Sequence, residues 1–362
     1  MNITASSKSE LKKSCNNCGA ELLYAPGTVA LKCDYCGHSE NIISSAEDIV
    51  ELELKQYLSN MGRQSHSEEI TMIQCKNCGA NQHIEEHYKS LYCIYCTTPL
   101  IVADLYNEQW IVPGAILPFQ ITQEKAHQIF KSWVKGLWFA PSKLKKATLD
   151  PQNTKGLYTP YWTFDAQLHA NYTGRRGEYY YITKTVGSGK NKKTVRERRT
   201  RWYPAAGQVS GFVNDTLTKA SKQKSGKIPR QVEHWNLNLL KPFDSSFLAG
   251  FVTEKYTIPL KNGHDQAKNV ANQIARTWSR RDIGGDTQSI SSLDMTLSDE
   301  TFKHILLPIY ISRYRYKNKQ YNFFVNGQSG KLSGQRPYSA WKILFFVLGI
   351  LMFVLVIYAI TK

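Results

Sequence analysis

Two cysteine-rich stretches decide the fold: CNNCGAELLYAPGTVALKCDYCG at residues 15–37 and CKNCGANQHIEEHYKSLYCIYC at residues 75–96. Each contains two CxxC pairs separated by fourteen residues. A CxxC pair forms a tight turn with converging sulfurs, and two facing turns supply the tetrahedral thiolate set that suits Zn²⁺. The predicted ligands are Cys15, Cys18, Cys33 and Cys36 in the first site, and Cys75, Cys78, Cys93 and Cys96 in the second.

The cysteine usage leaves two alternatives to this ligand set. All eight cysteines of the chain lie in the two stretches, so disulfides within each stretch, or cysteine pairs exchanged between the two sites, would also use them all. The polar N-terminal stretch MNITASSKSELKKS is not typical of a signal peptide, and a reducing, cytosolic compartment is therefore expected. Four sulfur ligands leave no open position for a reactive water, so structural rather than catalytic zinc is predicted.

The C-terminal stretch WKILFFVLGILMFVLVIYAITK, residues 341–362, has a different character. Residues 343–360 contain no charge, amide or proline, and a helix of this length spans roughly the 30 Å hydrocarbon core of a bilayer. Basic residues, including Lys342 and Arg336, are concentrated on its N-terminal side. By the positive-inside bias, we expect a single-pass, tail-anchored protein of the bacterial cytoplasmic membrane whose body lies in the cytoplasm.

The remaining sequence predicts an α+β protein with a β-rich middle region. We expect zinc ribbons at 1–40 and 71–105, a helical linker at 41–70, a middle region at 106–335 and the membrane anchor at 338–361. Within the linker, Ser44 and Ser45 are candidate N-caps for a helix that ends near Asn60. In the middle region, TQEKAHQIFKSWVKGLW followed by YTPYWTFDAQ resembles DQAKNVANQIARTWSRR followed by LPIYISRYRY. This similarity suggests an internal duplication with halves at 106–235 and 236–335.

The chain of 362 residues carries a formal net charge of +17, which favours anionic partners. The most basic segment, 179–204, is predicted to be a β-hairpin with a Gly/Ser/Lys turn; its glycines do not fit the phosphate-binding pattern GxxxxGK[ST]. Such a hairpin would face lipid headgroups, nucleic-acid phosphates or simply solvent. Its candidate contact residues are Lys190, Lys192, Lys193, Arg196, Arg198, Arg199 and Arg201.

The sequence contains none of the common catalytic motifs, such as GxSxG or HExxH, and no cysteine outside the two sites. Its scattered polar residues, including Asp165, His169, Asp282 and His304, do not form a recognisable catalytic pattern. We therefore expect a protein that is not an enzyme.

The paired CxxC motifs, PYWTFDA, FLAGFVTEKYTIPL and the stretch LPIYISRYRYKNKQYNFFVNGQSGKLSGQRPYSAWKI resemble bacterial TFIIB-type zinc-ribbon membrane proteins. Such proteins are often labelled primosomal protein N′ or replication factor Y, although this chain has no Walker A motif and no acidic helicase box. The chain also resembles the Bacillus membrane-stress zinc-ribbon proteins that partner an SPFH-domain protein. This resemblance implies that the SPFH protein is held at the membrane, where it recruits a phage-shock protein.

The sequence therefore leaves two alternative functions. The first is a membrane-anchored adaptor that holds an SPFH-domain or phage-shock type protein at the bilayer, with two structural Zn²⁺ ions. The second is a membrane-tethered nucleic-acid-binding protein that uses the ribbons and the basic hairpin.

Overall fold

The computed structural model describes residues 13–43, 49–60, 67–83, 91–96, 98–101, 104–142, 154–187, 192–222, 228–316 and 319–361. The strands are β1 (Leu22–Tyr24), β2 (Ala30–Cys33), β3 (Ser39–Asn41), β4 (Leu52–Glu53), β5 (Ser67–Gln74), β6 (Asn81–His83), β7 (Leu91–Tyr92), β8 (Pro99–Leu100), β9 (Leu105–Ile111), β10 (Ala115–Ile116), β11 (Thr154–Val186), β12 (Lys193–Lys219), β13 (Lys241–Pro242), β14 (Val252–Glu254), β15 (Thr287–Tyr316), β16 (Lys319–Asn326) and β17 (Leu332–Gly334). The helices are α1 (Leu54–Ser59), α2 (Gln123–Gly136), α3 (Leu260–Ile283) and α4 (Ala340–Ile360). The expected α+β class, with two N-terminal four-cysteine clusters and a C-terminal apolar helix, is confirmed.

Three long antiparallel strands organise the protein. β11 pairs with β15 along one edge, from Thr154 opposite Ser312 to Gly177 opposite Thr287, and with β12 along the other. The N-terminal half of β11 is buried on both faces, as expected for a central strand covered by other layers. Beyond Gly177, β11 and β12 continue as a two-stranded ribbon because β15 begins only at Thr287, opposite Gly177.

A strand–helix–strand unit occurs twice, as the sequence similarity suggested. The first unit is β10–α2–β11 and the second is β14–α3–β15. Each short strand pairs in parallel with the long strand of the other unit, so β10 lies beside β15 and β14 beside β11. Thr159 of β11 pairs with Leu307 of β15. Pro160 directly follows Thr159, and Pro308 directly follows Leu307, so the prolines of the two similar stretches occupy equivalent positions on the two antiparallel strands. The two units are therefore related by an approximate two-fold axis near that pair.

Helix α3 supports the long strands from one side. Near its N-terminus, Gly263 lies so close to the indole of Trp162 that an added Cβ would stand 2.6 Å from that ring. Near its C-terminus, the ring of Trp278 covers Gly211 on β12 and the carboxylate of Asp282 accepts a hydrogen bond from the Tyr172 hydroxyl. Helix α3 thus follows β11 and β12 from Trp162 to Tyr172.

The predicted linker helix is shorter than expected. Helix α1 begins at Leu54 rather than after Ser45, because the preceding Leu52 is held in a strand opposite Phe302 of β15. The cap candidates Ser44 and Ser45 lie outside the described residues.

The central sheet also includes strands from the range predicted for the second ribbon, residues 71–105. β5, β6 and β9 all belong to this sheet: β5 pairs with β9, and β6 pairs with β14. The second ribbon is thus continuous with the middle region.

A buried charge cluster joins the strands where β11 and β12 bulge. The Lys303 ammonium lies 2.7 Å from Glu51 Oε1, 3.0 Å from Asp215 Oδ1 and 3.5 Å from Asp165 Oδ2, and only 1% of Asp165 is exposed. Burial opposes the charged form of Lys303, but its hydrogen bonds and ion pairs with these carboxylates raise its pKa above the ordinary value. Asp165, which looked isolated in the sequence, therefore has a structural partner.

Candidate metal centres, membrane helix and basic ribbon

The first cluster brings together its four predicted ligands. The Sγ atoms of Cys15 and Cys36 are 3.5 Å apart, as are those of Cys18 and Cys33, and all four lie within 4.8 Å of one another. Four ligands at the Zn–S distance of about 2.3 Å in a tetrahedron give S···S separations of about 3.8 Å. The spacing is far longer than the roughly 2.05 Å of a disulfide, and it fits a metal ion at the centre.

The second cluster has the same geometry. Cys75 and Cys96 are 3.4 Å apart at Sγ, and so are Cys78 and Cys93, while all four again lie within 4.8 Å. The ligands pair within each stretch, which excludes the exchanged arrangement for this structure. The two groups are positioned to bind two metal ions, consistent with two structural Zn²⁺.

Backbone hydrogen bonds shape the cysteine turns. The amide of the first cysteine of each pair donates to the carbonyl five residues later, as in Cys15 to Ala20 and Cys93 to Thr98. In three turns, the glycine after the second cysteine (Gly19, Gly37 or Gly79) has φ between 72° and 77° and donates to the carbonyl of the first. Because only glycine adopts this conformation without strain, these glycines explain why CxxCG predicted the turn.

One thiol in each cluster is set up to ionise. A hydrogen bond from the backbone N–H of His38 is the main cause that lowers the pKa of Cys36 to about 6. The thiol of Cys93 donates to Cys78 and lowers the pKa of Cys78 to about 5. Thiolate rather than thiol is the metal-binding form. The pKa values of Cys18, Cys75 and Cys93 are raised instead, so Cys36 and Cys78 are the ligands that ionise most readily.

The first ribbon, β1 to β3 with its cluster, is packed against the sheet body. The Tyr24 hydroxyl donates to the Phe119 carbonyl at 3.1 Å, and the Tyr24 amide donates to Ala249 at 3.1 Å. Cys15 and Cys33 belong to the same buried apolar cluster as Phe119. The ribbon is therefore a fixed part of the body.

The second ribbon is attached more deeply. Its three buried cysteines share an apolar cluster with Leu157 and Ile309 of the central strands. The hydroxyl of Tyr95, a residue inside the last CxxC pair, donates at 2.6 Å to the buried carboxylate of Glu254 on β14. This contact could not be predicted from the sequence, because the partners are 159 residues apart.

Helix α4 is the membrane candidate. It has 21 residues, of which Lys342 is the single charged one, and none of them is buried. Its length is about 32 Å at 1.5 Å per residue, enough to cross a bilayer core. A core helix of a soluble protein would instead be covered, so exposure of the whole apolar surface favours a lipid environment.

The basic hairpin has the expected strands. β11 and β12 pair from Tyr179 opposite Thr200 to Val186 opposite Lys193. The described basic candidates are all exposed, namely Lys192, Lys193, Arg196, Arg198, Arg199 and Arg201, while Lys190 lies outside the described residues. We call residues 178–187 and 192–201 the basic ribbon.

The two faces of the basic ribbon differ in charge. On one face, Arg196 stacks over Tyr181 at 4.8 Å and Arg198 over Tyr179 at 4.3 Å. The strand register places both glutamates of the ribbon on the opposite face, where Glu197 contacts Arg199. One face thus presents arginines and tyrosines without a carboxylate of the ribbon beside them, a feature that net charge alone did not reveal.

Buried His304 has no catalytic neighbour among the described residues. Its Nδ1–H donates to the Ile111 carbonyl at 2.8 Å, and its ring lies against the aromatic rings of Trp110, Trp162 and Tyr256. Burial lowers the pKa of His304 to about 3, so the ring is neutral at physiological pH. It acts as a packing residue.

Together, the two four-cysteine clusters and the apolar helix fit a membrane-anchored zinc-ribbon protein. The chain is similar to protein YdjG of Bacillus subtilis (strain 168), described as uncharacterized, with 26% identity over 346 residues covering 93% of each chain. No protein-family profile and no solved structure matches the chain. The comparison shows a distant, nearly full-length relative in Bacillus, and the two four-cysteine clusters fit zinc ribbons.

Proposed function

We propose that the protein is a non-catalytic adaptor that holds a partner protein at the inner face of the bacterial cytoplasmic membrane. The observation that carries this proposal is the combination of an exposed apolar helix with a body into which both four-cysteine clusters are packed. A body stiffened at two points by metal and fixed to a bilayer is suited to presenting a surface in a constant orientation.

The partner class follows from the resemblance to the membrane-stress zinc-ribbon proteins. It is an SPFH-domain protein, which in turn recruits a phage-shock type protein. The basic ribbon is a suitable contact because β11 runs for 33 residues, about 110 Å at 3.3 Å per residue, between Thr154 and the ribbon tip. Thr154 is close to His127 of α2, and Ala140, four residues after α2, accepts a hydrogen bond from Lys342 of the membrane helix. The far end of this long strand is therefore suited to reach a partner that does not lie beside the membrane helix.

The test separates anchoring from recruitment. A variant without residues 340–360 should move to the cytosol together with the partner identified by affinity purification and mass spectrometry. A control variant with an unrelated apolar helix at 343–360 should restore both to the membrane. The proposal is wrong if the partner stays at the membrane when the truncated protein leaves it, or if no protein co-purifies with the full chain.

Nucleic-acid binding is the second candidate, and the arginine–tyrosine face of the basic ribbon favours it. Arginine contacts phosphates and tyrosine stacks on bases, as in other single-strand-binding surfaces. Arg196→Gln with Arg198→Gln should reduce the slope of log affinity against log salt by about two. The matched control, Arg199→Gln with Arg201→Gln, removes the same charge from the opposite face. Equal slopes for both double variants, or no binding of RNA or DNA at low salt, would count against this function.

A further inference from the structure

The end of α2 and the beginning of α4 form a groove at the base of the membrane helix. The groove has a volume of about 600 Å³ and is lined by Lys135, Gly136, Trp138, Lys342, Phe345 and Phe346. This volume lies within the range of about 300–1,000 Å³ that small-molecule sites occupy. Its lining combines two ammonium groups with three aromatic rings, and the described lining contains no acidic residue.

Hydrogen bonds hold the groove together. The Lys342 ammonium donates to the carbonyls of Ala140 at 2.8 Å and Trp138 at 3.4 Å, and the Ser339 amide donates to Phe139 at 2.8 Å. An ammonium has three protons, so Lys342 keeps one for a further acceptor. The segment after α2 is thus bound to the first turn of the membrane helix.

The same contacts set the depth of this segment. The Phe139 ring packs edge-on against Phe346 with 5.3 Å between centroids. Phe346 is one helical turn, about 6 Å, beyond Lys342 towards the apolar part of α4. If Lys342 lies at headgroup level, Phe139 reaches below that level. Trp138, which is 75% exposed, then lies where indole rings prefer to be, at the interface between headgroups and acyl chains.

We infer that this groove binds an anionic phospholipid of the inner leaflet. The phosphate would lie between the ammonium groups of Lys135 and Lys342, and the first carbons of an acyl chain would lie against Phe345 and Phe346. The inference rests on the membrane location in the proposed function. It adds a second contact with the bilayer, through the body of the protein, that fixes the rotation of the body about the helix axis.

The test uses the full-length protein in vesicles that contain equal amounts of phosphatidylglycerol and phosphatidylcholine. In one preparation only the phosphatidylglycerol carries brominated acyl chains, and in the other only the phosphatidylcholine. Bromine quenches nearby indole fluorescence, so the quenched fraction reports tryptophans in contact with each lipid. Of the eight tryptophans, Trp138 and Trp341 are the ones beside the groove and at the start of α4.

Trp138→Phe should reduce the quenched fraction by about half, because two interfacial indoles become one. Trp133→Phe, in the preceding helix α2, is the matched control. Its ring packs against Phe323 inside the protein, so the quenched fraction should not fall and should rise slightly, from two of eight indoles to two of seven. Brominated phosphatidylglycerol should quench wild type more than brominated phosphatidylcholine, and Lys135→Gln should remove this difference.

The outcomes separate this inference from the proposed function. If Trp341→Phe lowers the quenching and Trp138→Phe does not, the helix is in the bilayer but the groove does not face lipid, and the inference is overturned. Equal quenching of wild type by both lipids overturns the preference for an anionic headgroup. If wild type is not quenched at all, the membrane anchor fails and both proposals fall.

Discussion

Removing the metal from the second cluster should loosen the central sheet more than removing it from the first, because three of its cysteines are buried and only two are buried in the first. The change is Cys78→Ser with Cys93→Ser, which leaves two thiolates for the ion. These side chains are 7% and 1% exposed and share an apolar cluster with Leu157 and Ile309. The matched control is Cys18→Ser with Cys36→Ser, the two exposed ligands of the first cluster.

The expected size of the effect follows from two energies. A structural zinc site contributes an apparent 10–16 kcal/mol or so, about as much as the whole stability of a typical domain, roughly 5–15 kcal/mol. Even a partial loss of about 4 kcal/mol at the central strands would raise their amide exchange rates about a thousandfold. Both clusters share apolar clusters with those strands, but the second contributes three buried cysteines and the first two, so the loss of the second should have the larger effect.

Metal content and hydrogen exchange measure this effect together. Each double variant should retain one zinc per chain instead of the two that the clusters are positioned to bind. Peptides containing Leu157 and Ile309 should exchange faster in the Cys78/Cys93 variant than in the Cys18/Cys36 variant. Loss of one zinc from the second cluster with unchanged protection at Ile309 would refute the claim that this ribbon is part of the core.

Three further changes test the packing of the body. Lys303→Met should lower the free energy of unfolding by about 3–5 kcal/mol, because it leaves the buried Asp165 carboxylate without its cation; chemical denaturation in detergent measures it. Gly263→Ala should cost about 1–3 kcal/mol, because the new methyl group meets the Trp162 ring at 2.6 Å, and thermal unfolding measures it. Since burial lowers the pKa of His304 to about 3 from 6.5, only the unfolded chain takes up a proton between these values, so stability falls as pH falls. From pH 8 to pH 5 the His304 contribution falls by about 2 kcal/mol, measured as the change in the difference between wild type and His304→Phe.

Each of these changes has a control or a contradicting result. Gly349→Ala in α4 should have no effect on the body, since nothing lies within 4 Å of the added Cβ. A Lys303→Met protein as stable as wild type would mean that the carboxylates are neutral or hydrated there. A pH-independent difference between wild type and His304→Phe would show that His304 titrates in the folded protein as it does in the unfolded chain.

The sequence was most informative where local chemistry determines structure. The spacing of Cys15, Cys18, Cys33 and Cys36 was sufficient to predict one metal site, because turn geometry brings these sulfurs together. The turn residues and alternating pattern of 179–204 likewise predicted a hairpin. The exposed apolar helix could be read from composition alone.

Contacts between distant segments could not be predicted in the same way. The linker pattern favoured a longer helix, but pairing of Leu52 with Phe302, 250 residues later, holds that residue in a strand. The Tyr95–Glu254 hydrogen bond and the charge cluster around Lys303 also join segments far apart in sequence. The two faces of the basic ribbon differ in charge because of the strand register, and this register cannot be derived from the number of arginines.

The exchange of strands between the two similar units bears on how the chain assembles during synthesis. The hairpin of β11 and β12 is local and can form early. The other edge of β11 must wait for β15, whose residues lie between 110 and 158 positions beyond their partners in β11. Such long-range pairing is slow and leaves an exposed strand edge in the meantime. Since α4 follows β15 by fewer than thirty residues, the last step of folding and the synthesis of the apolar helix fall close together in time, and a chaperone that shields the waiting edge would have to release it at that stage.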